Sequence, residues 1–219
     1  MNGAKSKRAI GRDVWGRAGG YTNILLLIIC LFLPSLAIAQ SEIKMKAGEK
    51  KQLDIFFSNF SEANLKSFKQ NSLPQEALLD FALSHIYKNA YKSLKKSKDG
   101  SSAIIPAVRV DQTTEKYFGQ KLPKHENSEY LVPLADGEAY IFSQISRLLA
   151  VGQGLFQAEG VIYMTGSGGT PDPHGTQAAW KKAGEEVEQI GKFSALIKKE
   201  KTGKERYILL EYNVAMNNP

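Results

Sequence analysis

The chain has 219 residues, a formal net charge of +7, three histidines and a single cysteine. Because that cysteine, Cys30, lies in an apolar run near the N-terminus, the remaining chain cannot form disulfides or cysteine-ligated zinc and iron–sulfur sites. Beyond residue 39 there are 24 basic and 21 acidic residues, a net charge of +3, which argues against a dedicated nucleic-acid binder. The length is ample for one domain with a sizeable core.

Residues 1–39 have the three parts of a secretory signal peptide. A basic leader precedes an apolar run over 24–33, and Ala37 and Ala39 form an A-x-A cleavage site. We expect cleavage between Ala39 and Gln40, which predicts an exported and most simply a periplasmic protein. The alternative is an uncleaved anchor in the inner membrane over residues 24–39, although these 16 residues are fewer than the roughly 20 of a spanning helix.

The first part of the exported chain is predicted to be a tether followed by a short helix. Residues 40–50 are polar and lysine-rich without periodicity, which is typical of a flexible tether. Apolar side chains then recur every three or four residues, which indicates a helix packed on one face: Leu53, Phe56, Phe57 and Phe60.

Two further helices are predicted. The first runs over about 74–96, with Ser72 and Gln75 as a capping box and an apolar stripe formed by Leu79, Ala82, Leu83, Ile86, Ala90 and Leu94. The second covers about 112–118, with Asp111 as its N-cap and Gly119 at its exit.

Extended segments follow from about residue 128. They cover 130–134, 139–151, 155–165, 193–199 and 206–214, and tight turns separate most of them. Sequential strands joined by tight turns predict an antiparallel meander. The connection 166–188 is long and glycine-rich, with a short helical turn around 177–183, and such connections are often functional or mobile.

These elements predict one α+β domain over residues 51–215. The N-terminal helices would pack on one face of a curved antiparallel meander, in a cystatin-like or nuclear-transport-factor-2-like order. That order implies a cleft between sheet and helices, and it carries no function with it.

Four segments also resemble an uncharacterised family of bacterial exported or membrane-tethered domains. They are residues 56–62, 116–119, 135–139 and 206–212, in that order. The resemblance implies an extracytoplasmic domain without an established activity, and it brings no catalytic residue with it.

Few residues are candidates for chemistry. His85, His125 and His174 are far apart and lack the spacing of a metal site, and no pattern predicts a cofactor. His174 is the most interesting because it lies in the long connection, although turn chemistry alone explains its neighbours. Glu159 would have a raised pKa if it pointed inward, but a solvent-facing strand residue is the simpler interpretation. Asp136, beside a turn, is the other weak acid candidate.

Aromatic side chains suggest binding rather than catalysis. Tyr140, Tyr163, Tyr212 and Trp180 are weak candidates for contacts with an amphipathic ligand or a partner, although Trp180 could instead pin the connection to the sheet. The leading hypothesis is a non-enzymatic extracytoplasmic module that binds a small ligand or an envelope protein. The alternatives are a small periplasmic enzyme with an acid, Tyr and His in one cleft, and a structural protein pairing through the sheet edge near 206–214.

Overall fold

The computed structural model describes residues 41–134, 140–166, 169, 171–201 and 205–217. Within them lie four α-helices and eight strands in two open antiparallel sheets, which confirms the predicted α+β class. The likeness to the cystatin-like or nuclear-transport-factor-2-like order stays a prediction. Residues 1–40, with the cleavage site at Ala39 and Gln40, and the candidate Asp136 lie outside the described residues. None of the helices described is long and apolar enough to cross a membrane.

In chain order the elements are β1 (Ser41–Glu42), α1 (Ala47–Glu62), α2 (Gln75–Ala90), a 3₁₀ turn (Tyr91–Ser93), β2 (Lys95–Lys96), β3 (Ser102–Pro106), α3 (Ala107–Phe118), β4 (Glu129–Pro133), β5 (Ile141–Gly152), β6 (Leu155–Thr165), α4 (Gln177–Ala183), β7 (Val187–Glu200) and β8 (Arg206–Met216).

The main sheet has the strand order β1-β5-β6-β7-β8, so β5 to β8 form the predicted meander. Register shifts interrupt the β5–β6, β6–β7 and β7–β8 ladders. Bulges of this kind bend and twist the strands. Gly160 on β6 lies opposite Phe193 on β7, and a Cβ at this position would collide with the Phe193 ring. The sheet can therefore accept a large aromatic ring at this point because its neighbour has no side chain.

Helix α1 covers the inner face of this sheet. Its predicted apolar stripe is confirmed, since Leu53, Phe57 and Phe60 are completely buried. The Phe57 ring lies 4.5 Å from that of Phe193 and the Phe60 ring 5.9 Å from that of Tyr212. Aromatic contacts of this kind contribute beyond the buried area itself, so α1 and the sheet form one core.

The prediction of a flexible tether over residues 40–50 is wrong for residues 41–50, which the structure describes. Ser41 and Glu42 pair with β5, and α1 begins at Ala47. The reason is packing, because Ile43 and Met45 are partly buried against the main core. Two apolar side chains in a lysine-rich segment are enough to fix it on the sheet.

The second sheet, β2-β3-β4, is absent from the sequence-based prediction. Helix α2 ends at Ala90, so residues 95–96, expected to be helical, instead pair with β3. The segment predicted over 130–134 joins this sheet as β4. Ala103 and Ile105 alternate with more exposed neighbours on β3, a five-residue period-2 pattern that indicates a strand.

Both predicted N-caps are also wrong, whereas the predicted exit is confirmed. The N-cap of α2 is Pro74, while Ser72 bonds to Lys69. Asp111 lies inside α3, which starts after Pro106. Gly119 ends α3 in the left-handed conformation, with a φ of 68°, which glycine adopts without steric cost.

Candidate functional site

The connection between β6 and β7 crosses the edge of β5. We call residues 171–183 the strap. The side-chain amide of Gln144 on β5 donates to the backbone oxygens of Pro173 (2.7 Å) and Gly175 (2.9 Å). These two bonds hold the strap on both sides of His174. They lie at the outer edge of β5, which β1 covers only at Leu149 and Ala150.

Trp180 fixes the other end of the strap. Its indole N–H donates to the Asp172 carbonyl (2.7 Å), and its ring meets those of Phe142 and Tyr163 edge-on at 5.5 and 5.1 Å. These three aromatic residues form a second buried cluster, against which Tyr140 packs. Trp180 therefore pins the connection to the sheet and is only 4% exposed, so it is not an exposed anchor for a partner.

His174 contacts a buried carboxylate that sequence reasoning missed. Its Nδ1 lies 3.3 Å from Oδ2 of Asp54 on α1, a residue only 2% exposed. Asp54 also accepts the backbone N–H of Ile145 at 2.8 Å and pairs with Lys50 Nζ at 2.8 Å. Both carboxylate oxygens are thus hydrogen-bonded, as a buried charge requires. The available signal was an aspartate inside the most apolar stretch of the chain shortly after residue 40.

Three serine hydroxyls lie near this carboxylate in a closed network. Ser58 Oγ donates to the Asp54 carbonyl and accepts the Ser143 backbone N–H at 2.9 Å. Ser143 Oγ donates to Ser61 Oγ at 3.0 Å. In the described part of the chain the His174 ring bonds to Asp54, and no hydrogen bond joins it to a serine hydroxyl.

Glu62 and Tyr140 share a second polar environment below the strap. Burial raises the pKa of Glu62 to about 7, against the opposing effect of Lys88. Burial also raises the pKa of Tyr140, and the charges of Glu62 and Asp172 add to this effect. An acid that holds its proton near neutral pH is a feature of catalytic sites, but buried structural acids share it.

Glu159 does not point inward. Its side chain is 41% exposed and lies 3.9 Å from Arg147, whereas the preceding Ala158 is fully buried. The alternation along β6 therefore puts Glu159 on the solvent face, as the simpler interpretation expected, and the alternative of a buried acid is wrong.

The four aromatic candidates do not share one cleft. Tyr163 and Trp180 belong to the second cluster with Tyr140 at its margin, whereas Tyr212 lies in the main core. The Tyr212 hydroxyl is buried without a hydrogen-bond partner among the residues described, and burial raises its pKa. The four side chains therefore belong to two separate clusters and do not line one common cleft.

The remaining two histidines have packing roles. His125 lies between Asp111 and Tyr130, with 2.9 Å on each side, and so ties the loop after α3 to β4. His85 lies against the Tyr117 ring at 4.8 Å, and burial lowers its pKa to about 4. Across the described ranges, no group of three His, Cys, Asp or Glu side chains is placed to hold a metal.

A groove of about 810 Å³ lies between α1, the end of α3 and the β7–β8 hairpin. Its apolar lining consists of Ile55, Phe56, Tyr117 and Tyr207. Ile55 is 52% exposed, whereas Phe56 and Tyr117 are buried beneath it. This volume is in the range of sites for small molecules, which combine apolar walls with a few polar groups.

Charged side chains surround this lining: Lys46, Lys116, Lys199, Arg206, Glu49 and Glu205. Two of the cations are neutralised, since Lys199 pairs with Glu205 at 3.1 Å and Arg206 with Glu200 at 2.8 Å. The Tyr207 hydroxyl donates to Glu49 at 3.1 Å. Sequence reasoning expected a cleft between sheet and helices but did not identify these lining residues, because they come from three distant segments of the chain.

Comparison of the chain with protein-family models, with curated proteins and with solved structures finds no match. Function is therefore argued from the groove and the strap themselves.

Proposed function

We propose that this chain is an exported, non-enzymatic binding module whose groove takes a small amphipathic molecule. The observation that supports this most is the groove itself, where exposed aliphatic surface and aromatic rings adjoin charged side chains that can fix a polar end. The signal-like segment over residues 1–39 supports the exported location.

An enzyme has less support. The alternative required an acid, a tyrosine and a histidine converging on one cleft. Glu159 instead pairs with Arg147 on the solvent face, and His174 is bound to the buried Asp54. The strap thus uses its polar groups for internal contacts, whereas the groove presents polar groups to an open space.

Binding through the β8 edge also has less support. Phe68 and Tyr212 exchange two backbone hydrogen bonds of 2.8 and 3.1 Å, and the Val214 N–H donates to Ser67 Oγ at 2.9 Å. This part of the terminal strand is already paired, so an added strand would have to displace residues 67 and 68.

A native mass spectrum of the protein purified from its own envelope fraction tests this proposal. We expect a chain that begins at Gln40 and carries a small molecule. An intact N-terminus would contradict cleavage, and an empty protein that also binds none of a panel of amphiphiles would contradict the binding role.

A pair of matched variants locates the molecule. Ile55→Glu places a charge in the apolar part of the groove and should abolish the complex. Val108→Glu makes the same change at an aliphatic residue that is 61% exposed and outside the groove lining, and it should leave the complex intact. Equal loss in both variants would argue against the groove.

A further inference from the structure

We infer that the groove selects an organic anion with one alkyl chain. Lys46 and Lys116 hold its carboxylate, and its alkyl chain lies along Ile55 and the aromatic rings. This inference rests on the proposed binding role of the groove. It adds the charge of the ligand and the residues that recognise it.

The charge balance of the lining supports an anion. Four cationic and two acidic side chains line the groove. Lys199 is neutralised by Glu205, and Arg206 by Glu200. Within the described residues, Lys46 and Lys116 have no carboxylate within ion-pair distance. The positive charge left over therefore comes from these two side chains.

Glu49 reduces this excess without removing it, because one carboxylate stands against these two lysines. Its carboxylate accepts the Tyr207 hydroxyl, and it lies in the first turn of α1, where the helix dipole stabilises a negative charge. Its charge also raises the pKa of Tyr207, in addition to the larger effect of burial, so the hydroxyl remains a donor. Glu49 thus keeps its charge and disfavours an anion near Tyr207, so the ligand carboxylate is assigned to Lys46 and Lys116.

Lys116 is held in place without being neutralised. Its Nζ lies 3.1 Å from the Tyr117 hydroxyl and 4.6 Å from the centre of the Tyr117 ring. An ammonium group has three donors, so the contact with Tyr117 leaves two for a ligand oxygen. The cation–π contact keeps the charge at the wall of the groove.

An apolar ligand in this half of the site would explain why Ile55 is exposed to water, which is otherwise unfavourable for an aliphatic side chain. Ile55 is 52% exposed on α1, although the neighbouring Phe56 is only 8% exposed. The Phe56 ring lies 6.1 and 6.2 Å from those of Tyr117 and Tyr207, so the three rings pack together as the floor of the groove, and the apolar surface still open to water belongs mainly to Ile55 and the half-buried Tyr207. An alkyl chain lying there would remove apolar surface from water at both the ligand and the protein.

Calorimetric titration with three amphiphiles that share a twelve-carbon chain tests the inference. The protein purified from the envelope is stripped of ligand and titrated below the micellar concentrations of the amphiphiles. The titrants are dodecanoate, dodecyl maltoside and dodecyltrimethylammonium. We expect dodecanoate to bind at least about tenfold more tightly than the other two, because only its head group gains charge-assisted hydrogen bonds.

A variant of Lys116 and a matched control test the role of the charge. Lys116→Gln should weaken dodecanoate binding by about tenfold and leave dodecyl maltoside unchanged. Lys192→Gln, an exposed lysine on β7 outside the groove lining, should change neither. Equal weakening of both ligands by Lys116→Gln would overturn the role given to its charge.

The remaining outcomes separate this inference from the proposed function. Equal affinity for the three amphiphiles would overturn the anion preference while leaving the groove as a binding site. No binding of any amphiphile would overturn both. Sedimentation with phosphatidylglycerol vesicles but no binding of monomeric dodecanoate would indicate a membrane surface as the partner and would also overturn the inference.

Discussion

The strap and the groove both bring charged and aromatic side chains together, but they use them differently. Around the strap, Asp54 is buried and bonded to Ile145, Lys50 and His174, while Trp180 is enclosed by rings. Around the groove, aliphatic and cationic side chains face an open space of about 810 Å³. The comparison indicates that polar groups satisfied within the chain stabilise the fold, whereas those left over are available for binding.

The largest effect is expected from removing the buried carboxylate. Asp54→Ala leaves the Ile145 N–H without its acceptor and strips the partner from His174 and Lys50. We expect the free energy of unfolding to fall by about 3–5 kcal/mol in urea titrations. Glu159→Ala, which removes an exposed carboxylate, should cost less than about 1 kcal/mol. Similar values for the two variants would show that Asp54 is not the structural centre of the strap.

A somewhat smaller effect is expected at the second aromatic cluster. Trp180→Ala removes the ring contacts with Phe142 and Tyr163 and should cost about 3 kcal/mol. Because Trp180 also closes the strap onto Asp172, hydrogen exchange of residues 172–180 should increase while β6 and β7 remain protected. Uniformly faster exchange across the sheet would instead indicate that the strap is part of one cooperative core.

The smallest effect concerns pH. The pKa of Glu62 is raised from 4.5 to about 7, so the folded chain binds this proton more tightly than the unfolded chain. The resulting stability is fully present below pH 4.5 and is lost as the pH rises through about 7. Glu62→Gln should therefore melt at a higher temperature than the native protein at pH 8.

The same variant supplies its own control. At pH 4 both chains carry a neutral side chain at position 62, and the difference in melting temperature should largely disappear. A difference that is the same at both pH values would mean that the substitution acts through packing and not through the proton.

The sequence predicted the fold where the pattern was local. The β6 segment and the β7–β8 hairpin were expected as extended segments separated by turns, and they are present, although β7 begins earlier, at Val187. The α1 stripe was also visible. The second sheet was missed because β2 has only two residues and looks like the end of a lysine-rich helix.

The candidate site was less accessible to sequence reasoning because its contacts are long-range. Asp54 meets Ile145 and His174 across 91 and 120 positions of the chain. Only His174 of this group was singled out, and its Asp54 partner had no local signal beyond its apolar surroundings. The groove joins side chains from α1, α3 and β8, and no single segment of the chain indicates it.

Photo-crosslinking tests the central claim most directly. The protein purified from the envelope is irradiated with dodecanoate that carries a terminal diazirine, and the modified residues are found by peptide mass spectrometry. We expect adducts at Ile55 and its groove neighbours, including Tyr117 or Tyr207, and we expect unlabelled dodecanoate to suppress them. Adducts on the strap, or labelling that unlabelled dodecanoate does not suppress, would contradict the assignment of the groove as the binding site.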